Sequence, residues 1–517
     1  MNGADSLCES LLANDVDVCF ANPGTSEMHF VAALDRQPRM RCVLGLFEGV
    51  VTGAADGYAR MADRPAATLL HLGPGLANGL ANLHNARRAR TPMINVVGDH
   101  ASHHLALDAP LTSDIESLAR PMSQWVGRVR NAESVDEQTG RAYAAAMSLP
   151  GVATLILPAD AAWGKVAPAT ASRAELPAPA TVDADRVRDV ARAIRSGGRT
   201  LLLLSGKALR ADALAVAGSI AEACGLRIMA QQSNARIERG AGRMPIEKVP
   251  YPVDMALARL ENVDRLVTIG AREPVAFFGY PGKPGRLLRA DCEVLALADQ
   301  DSDLLAVLNG LAEELGVRPG PPKALERPRL IDEPMPSGAL TDDAIALAVA
   351  RMMPENAIIC DESITSATRF FALSQNAVPH DYLQLTGGAI GIGIPMAAGA
   401  AVACPDRKVI ALQADGSGMF TVQGLWTHAR ENLDVVTIVF SNRAYSILVD
   451  EMRNVGVEDM GRNARQMLNL DNPVLDWVSL ARGMGVDGGR ATTVEEFVAL
   501  FQRALQLTGP FLIEAMI

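Results

Sequence analysis

The chain of 517 residues is 49% hydrophobic and 21% charged, the balance of a globular protein in water, and it is too long for a single hydrophobic core. With a formal net charge of −11 and no basic block, it is a poor partner for nucleic acid or an anionic membrane; its densest basic cluster, "NARRARTP" at 85–92, reads as a solvated helix end. Seven cysteines are scattered with no CxxC and no Cys/His cluster, which argues against a zinc site or a disulfide framework and suits a reducing cytoplasm.

The start, "MNGADSLCES", has neither a basic nor an apolar leader segment, so no signal peptide is expected. From there short apolar, β-branched runs alternate with helical patterns, which predicts parallel sheets covered by helices. The first block places strands at 17–24, 41–47, 66–75, 92–99 and 152–160, with helices over 48–61 and 76–88. An Ala/Pro-rich stretch, 165–187, reads as a linker. The second block, about 186–315, has strands at 200–206, 227–231, 265–271 and 293–299, and a linker with six prolines follows at 316–338. Strands at 357–363, 408–417, 435–442 and 510–517 make up the last block. The expected fold is α/β: three doubly wound domains with mainly parallel sheets, at 1–164, 186–315 and 338–517, and no short-period repeat. One stretch, "GGAIGIGIPMAAGAAVAC" at 387–404, nearly reaches transmembrane length without a charge. Its five glycines and its proline point instead to a loop and helix packed beneath a ligand.

Asp415 and Asn442 lie 27 residues apart, each directly after an apolar strand. A strand–helix–strand crossover makes those strands neighbours, so both residues sit at the carboxyl edge where open α/β sheets bind ligands. Either residue alone fits an ordinary turn or helix cap. Together a carboxylate and an amide oxygen form a hard-oxygen set suited to Mg²⁺, whose other ligands come from water and phosphate. Gly416 permits close backbone approach, and a helix starting near Ser417 would turn its N–H groups toward an anion.

This Asp-Gly-Ser followed by Asn resembles the Gly-Asp-Gly … Asn-Asn signature of thiamine-diphosphate-dependent enzymes, with Ala414 and Ser441 replacing the first Gly and the first Asn. The resemblance spans essentially the whole chain and is strongest to benzoylformate decarboxylases, then to acetolactate synthase large subunits. It implies that the three blocks are pyrimidine, middle and diphosphate domains. It further implies thiamine diphosphate with Mg²⁺ held by Asp415, Asn442 and the carbonyl of Ala444. Gly416, Ser417 and Tyr445 fall at diphosphate-contacting positions; Glu362 and Thr365 match such contacts less specifically. In "GGAIG" (387–391), Ile390 takes the place of the bulky side chain that bends the cofactor, and the Gly388 carbonyl that of an acceptor for its amino group.

Glu48, set among Leu46, Phe47, Val50 and Val51, is poorly solvated and falls at the family's position for the acid that shares a proton with the pyrimidine. Away from that match it is an acid favoured at a helix N-terminus. Thr25 of "FANPGTSE" stands where decarboxylases carry a Ser facing the substrate carboxylate. His71 of "LLHLGPG" stands at the first catalytic His of benzoylformate decarboxylases, suited to moving protons near neutral pH. Their second His, from the middle domain, has no counterpart: "IGAREPVAFFGYPG" (269–282) offers Arg272, Phe277 and Phe278. A nearby loop supplies His100, His103 and His104 instead, and a role for His103 or His104 is expected by likeness to the His pair of pyruvate and indolepyruvate decarboxylases; a solvated loop is the plain alternative.

The expected activity is therefore decarboxylation of a small-molecule 2-oxo acid, with acetolactate-synthase-like joining of two 2-oxo acids as the alternative. A paralogue without turnover and an NAD-dependent oxidoreductase fit less well. No GxGxxG fingerprint supports a dinucleotide in the middle block, which argues against FAD, although the family binds it without that motif. The resemblance places Glu48 and the diphosphate domain on different subunits, implying a homo-oligomer, at least a dimer and by expectation a tetramer.

Overall fold

The computed structural model describes residues 1–168, 171–320, 330, 333–457 and 459–517. Residues 321–329, 331 and 332 of the Pro-rich stretch expected to link the last two blocks lie outside the described residues. The architecture is mixed α/β with three sheets. The first sheet holds β1 (Val18–Asn22), β2 (Arg41–Leu44), β3 (Ala66–Leu70), β4 (Met93–Asp99), β5 (Trp125–Arg128) and β6 (Val152–Pro158), in the order β2-β1-β3-β4-β6-β5. Every pairing in it is parallel. β3, β4 and β6 are buried along their whole length, as expected of Val/Ile/Leu runs covered on both faces.

The second sheet contains β7 (Thr200–Leu204), β8 (Arg227–Ala230), β10 (Glu247–Lys248), β11 (Arg265–Ile269) and β12 (Glu293–Ala298), ordered β10-β8-β7-β11-β12. β9 (Ile237–Arg239) leaves this region and pairs antiparallel with the third sheet. That third sheet runs β17-β18-β16-β15-β13-β14-β9, built from β13 (Ile358–Glu362), β14 (His380–Gln384), β15 (Val409–Ala414), β16 (Val435–Ser441), β17 (Asp487–Ala491) and β18 (Phe511–Met516).

Five of these strands, β5, β9, β10, β14 and β17, escape the sequence reading for physical reasons. β14 is "HDYLQ", polar in composition yet buried at every position, and β17 is "DGGRA", without a β-branched residue. Pairing with formed neighbours overrides local preference there. The crossover helix expected between β15 and β16 is broken into a turn at Asp415–Gly418, a 3₁₀ turn at Met419–Thr421 and a helix at Gly424–Arg430. Three glycines interrupt it, and the Trp477 ring sits against Gly418, leaving 2.7 Å to any added β-carbon.

Between the first and third sheets lie the helices Glu48–Ala62 and Gly393–Ala403, packed face to face. The second is apolar all round and buried from Gly393 to Val402, so "GGAIGIGIPMAAGAAVAC" belongs to the interior. Among the described residues no helix is long and apolar enough to cross a membrane. Small residues set the closeness of the crossing: a β-carbon on Gly57 would collide with the Met396 carbonyl, and one on Gly399 with the Ala54 carbonyl. One apolar cluster therefore runs from Phe20 and Val43 through Ala54 and Ala55 to Met396, Ala397 and Ile358. Arg60 locks this seam. Its guanidinium is buried, donates to Asp56 at 2.6 Å and reaches across to the Gln384 carbonyl at 2.6 Å.

Candidate functional site

Candidate residues gather at the carboxyl ends of the first and third sheets. β15 and β16 pair in parallel up to Ala414↔Phe440, so the two strands deliver Asp415 and Asn442 side by side. Asp415 is buried and accepts the N–H of Arg443 at 2.7 Å and of Gly416 at 2.8 Å. Asn442 Oδ1 accepts the Ala444 N–H at 3.0 Å, and its amide nitrogen donates to Ser446 Oγ at 2.9 Å. Arg443, between them, takes φ +58°, which folds the chain back over Asp415. The Tyr445 ring lies against Gly416, where any β-carbon would collide with it. Ser417 Oγ is 2.7 Å from Gln413 Nε2.

These residues fit a divalent ion and a diphosphate. Burial pushes the Asp415 carboxyl above its usual range against the pull of the Arg443 and Gly416 N–H groups, with buried Glu514 adding to the same shift. A cation beside it would restore the charged form. Among the described residues no group of three or more His, Cys, Asp or Glu side chains is placed to bind a metal. One carboxylate, one amide oxygen and a carbonyl leave the remaining positions to water and phosphate, the preference of Mg²⁺.

The "GGAIG" loop is held from both sides. Asn85 Nδ2 donates to the Ala389 carbonyl at 2.7 Å, Asn82 Nδ2 to the Gly391 carbonyl at 3.1 Å, and His84 Nε2 lies 3.0 Å from the Gly387 carbonyl. From the other side Glu362 accepts the N–H of Gly391 at 2.6 Å and of Gly393 at 2.7 Å. Glu362 is therefore committed to the loop's backbone, and burial pushes its carboxyl up despite those bonds. Gly388 and Gly391 have φ +79° and +95°, a conformation that glycine adopts without strain. Gly388 is exposed and Ile390 half-buried. Thr365 follows Ile364, at φ +58°, in the loop after β13.

Opposite chemistry is found on the first sheet. Glu48 opens its helix, is 7% exposed, and accepts Asn78 Nδ2 at 3.0 Å. His71 directly follows β3 and caps the helix Leu72–Ala89. Its Nδ1 lies 2.7 Å from Glu27 Oε2. Glu27 is buried, holds Ser26 Oγ at 2.6 Å and the Gly24 N–H at 2.8 Å, and packs on Gly98. A carboxylate against Nδ1 fixes the tautomer with Nδ1–H toward Glu27 and leaves Nε2 for chemistry. Sequence reasoning missed Glu27. Its signal was available in "TSE", an acid two residues after Thr25. Thr25 begins the 3₁₀ turn that carries Glu27 and is exposed.

The histidine loop is different. His103 is exposed and His104 half-buried, and the His100 and His104 rings stand 5.6 Å apart. Among the described residues neither His103 nor His104 is hydrogen-bonded through its imidazole to His71, Glu27 or Thr25.

Residues 1–118 match the family model described as thiamine pyrophosphate enzyme, N-terminal TPP binding domain, and residues 363–515 match the corresponding C-terminal TPP binding domain. The chain is 50% identical, over all of its length and 99% of the relative's, to "Putative acetolactate synthase large subunit IlvX" of Mycobacterium tuberculosis. This chain belongs to the thiamine pyrophosphate enzymes. It is also 29% identical to benzoylformate decarboxylase of Pseudomonas aeruginosa, over 98% of this chain and 97% of that one. Among solved structures, the thiamine diphosphate-dependent 4-hydroxybenzoylformate decarboxylase of Rhodococcus jostii superposes with a TM-score of 0.86 at 26% identity, covering 99% of this chain and 98% of that one. The protein is thus a thiamine-diphosphate-dependent enzyme, homologous to decarboxylases and to acetolactate synthase large subunits.

Proposed function

We propose that this enzyme decarboxylates a 2-oxo acid, with Mg²⁺ and thiamine diphosphate held on the third sheet and proton transfer managed from the first. The observation that carries the reading is the buried Glu27 carboxylate on His71 Nδ1, which turns a histidine at a strand end into an oriented proton carrier. When bound, the cofactor supplies the electron sink that lets CO₂ leave. Asp415, Asn442 and the Ala444 carbonyl hold the metal, with Gly416, Ser417 and Tyr445 beside the diphosphate and Thr365 near it. Gly388 and Ile390 seat the organic half. Glu48 shares a proton with the pyrimidine, Thr25 meets the substrate carboxylate, and His71 Nε2 delivers the proton that completes release of the aldehyde. His103 or His104 serves as a second proton carrier from its loop. By its likeness to the family the working form is a homo-oligomer, at least a dimer, with Glu48 and Asp415 of one site drawn from different copies, and it works in the cytoplasm.

The second reading, joining of two 2-oxo acids, is favoured by the 50% identical relative's name. Incubating the metal-loaded enzyme with aromatic and aliphatic 2-oxo acids, and measuring CO₂, aldehyde and acyloin, separates the two. Aldehyde in near-equal yield with CO₂ supports decarboxylation. One 2-hydroxy-3-oxo acid (the carboxylated acyloin) per CO₂, with two 2-oxo acids consumed and little aldehyde, supports joining. No CO₂ from any acid removes both.

A further inference from the structure

Four aromatic rings cluster beside the third sheet, and none has a part in the chemistry above. The Tyr251 and Phe277 centroids are 5.4 Å apart, Phe277 and Phe278 5.0 Å, and Phe278 and Tyr280 6.5 Å. Phe277 and Phe278 keep 40% and 54% of their surface exposed, so the rings pack on one another at the surface. Single exposed apolar residues are unremarked in folded proteins, but adjoining ones mark binding surfaces.

The cluster is fastened at two points to the proposed cofactor site. At the first Phe277 covers Gly388: a β-carbon there would stand 2.7 Å from Phe277 Cζ, so the ring lies directly on the loop proposed to seat the organic half. At the second the Tyr251 hydroxyl donates to Glu451 Oε1 at 3.2 Å. Glu451 belongs to the helix Ser446–Asn454, which begins one residue after Tyr445. The wall therefore runs from the "GGAIG" loop to the helix behind the proposed metal turn. Phe277 and Phe278 bring neither charge nor proton to it. What they present is flat apolar surface, which recognises a partner by burying its apolar face and by edge or offset ring contacts.

We propose that Phe277 and Phe278, braced by Tyr251 and Tyr280, form the subsite for the substrate's side chain and select an aryl or branched apolar group over a methyl. The proposal rests on the 2-oxo acid reading above and adds the residues that choose the substrate. Hydrophobic pockets discriminate by roughly 10–200-fold for each methylene-sized difference, so the preference is expected to be tenfold or more.

Non-reacting 2-hydroxy acids test the wall apart from turnover. On the thiamine-diphosphate- and Mg²⁺-loaded enzyme, calorimetry is expected to show mandelate binding at least about tenfold more tightly than lactate. The ratio should fall toward one in Phe277→Ala and in Phe278→Ala, and persist in Phe277→Tyr, with cofactor titration showing that each variant is loaded. Equal affinities in the unaltered enzyme, or an unchanged ratio in both alanine variants, would overturn the proposal. So would a fall in sedimentation coefficient in either alanine variant, which would make the rings a contact with a second copy. A mandelate preference without CO₂ release from any 2-oxo acid supports the wall and defeats the reaction assigned to the site.

Discussion

The first and third sheets, counted by strand within each, have the same order: β2-β1-β3-β4-β6-β5 in one, and the same 2-1-3-4-6-5 read from β14 to β17 in the other, with β9 added at the edge. Their equivalent helices, Glu48–Ala62 and Gly393–Ala403, are the two that pack face to face. Candidate residues fall at equivalent places too. After the second strand come Glu48 and the "GGAIG" loop; after the third, His71 and Asp415; after the fourth, the histidine loop starting at His100, and Asn442. One frame thus carries two chemistries. In the proposed function the first sheet offers side chains that move protons, and the third offers oxygens and backbone that hold a charged ligand still. Fold alone fixes where chemistry can sit, and the residue after each strand decides which chemistry it is.

The comparison breaks most sharply at Glu48. Glu48→Gln should retain thiamine diphosphate yet lose roughly 10²–10⁴-fold in deuterium exchange at the cofactor's C2, followed by NMR, because an amide cannot take the shared proton. Exchange at the unaltered rate would end the assignment of proton chemistry to the first sheet. His71→Ala should lower aldehyde release by about 10²-fold or more. Acyloin formation should fall less, so the acyloin-to-aldehyde ratio rises; if both products fall together, His71 acts earlier, on the substrate carbonyl. On the third sheet Asp415→Ala should do the opposite of Glu48→Gln and release the cofactor. Calorimetry should show at least about a hundredfold weaker thiamine diphosphate, since indirect metal neighbours alone are worth roughly 10–100-fold, and EDTA should reproduce the loss in the unaltered enzyme.

The two histidine environments sharpen the contrast. His71 faces a carboxylate and is partly open, whereas His428, on the helix Gly424–Arg430, is fully buried and donates from Nε2 to the Ile394 carbonyl at 2.9 Å. Burial holds the His428 imidazole down at about 4. The unfolded chain therefore binds a proton that the folded chain refuses between pH 6.5 and about 4, so stability present above pH 6.5 is lost as pH falls through that window. Urea unfolding of His428→Gln should show a shallower loss over that window, by on the order of 2–3 kcal/mol at its acid end. An identical pH profile would mean that the carboxylates dominate. Smallest is Gly399→Ala at the helix crossing, expected to destabilise by roughly 1–3 kcal/mol in the same assay through overpacking. A neutral result would show that the seam between the sheets is loose.

Much of this was legible in the chain itself. Strands β3, β4, β6, β15 and β16 are mainly apolar runs, and such runs are buried on both faces, so a parallel α/β fold follows largely from hydrophobicity. The pairing of Asp415 with Asn442 was also legible, because a 27-residue strand–helix–strand unit brings its two strand ends together. Only tertiary structure decided the rest. Glu27 reaches His71 because β1 and β3 are neighbours, 44 residues apart in sequence. Phe277 reaches Gly388 from the loop after β11, across more than a hundred residues. The likeness of the first and third sheets lies in strand order, which no short repeat in the chain records. β9 crosses from the second region to the third sheet because its hydrogen bonds are satisfied there by β14. Local sequence sets which segments must be buried, but which buried segments meet is fixed by packing the whole chain at once, and the proton carrier, the aromatic wall and the paired sheets all depend on those meetings.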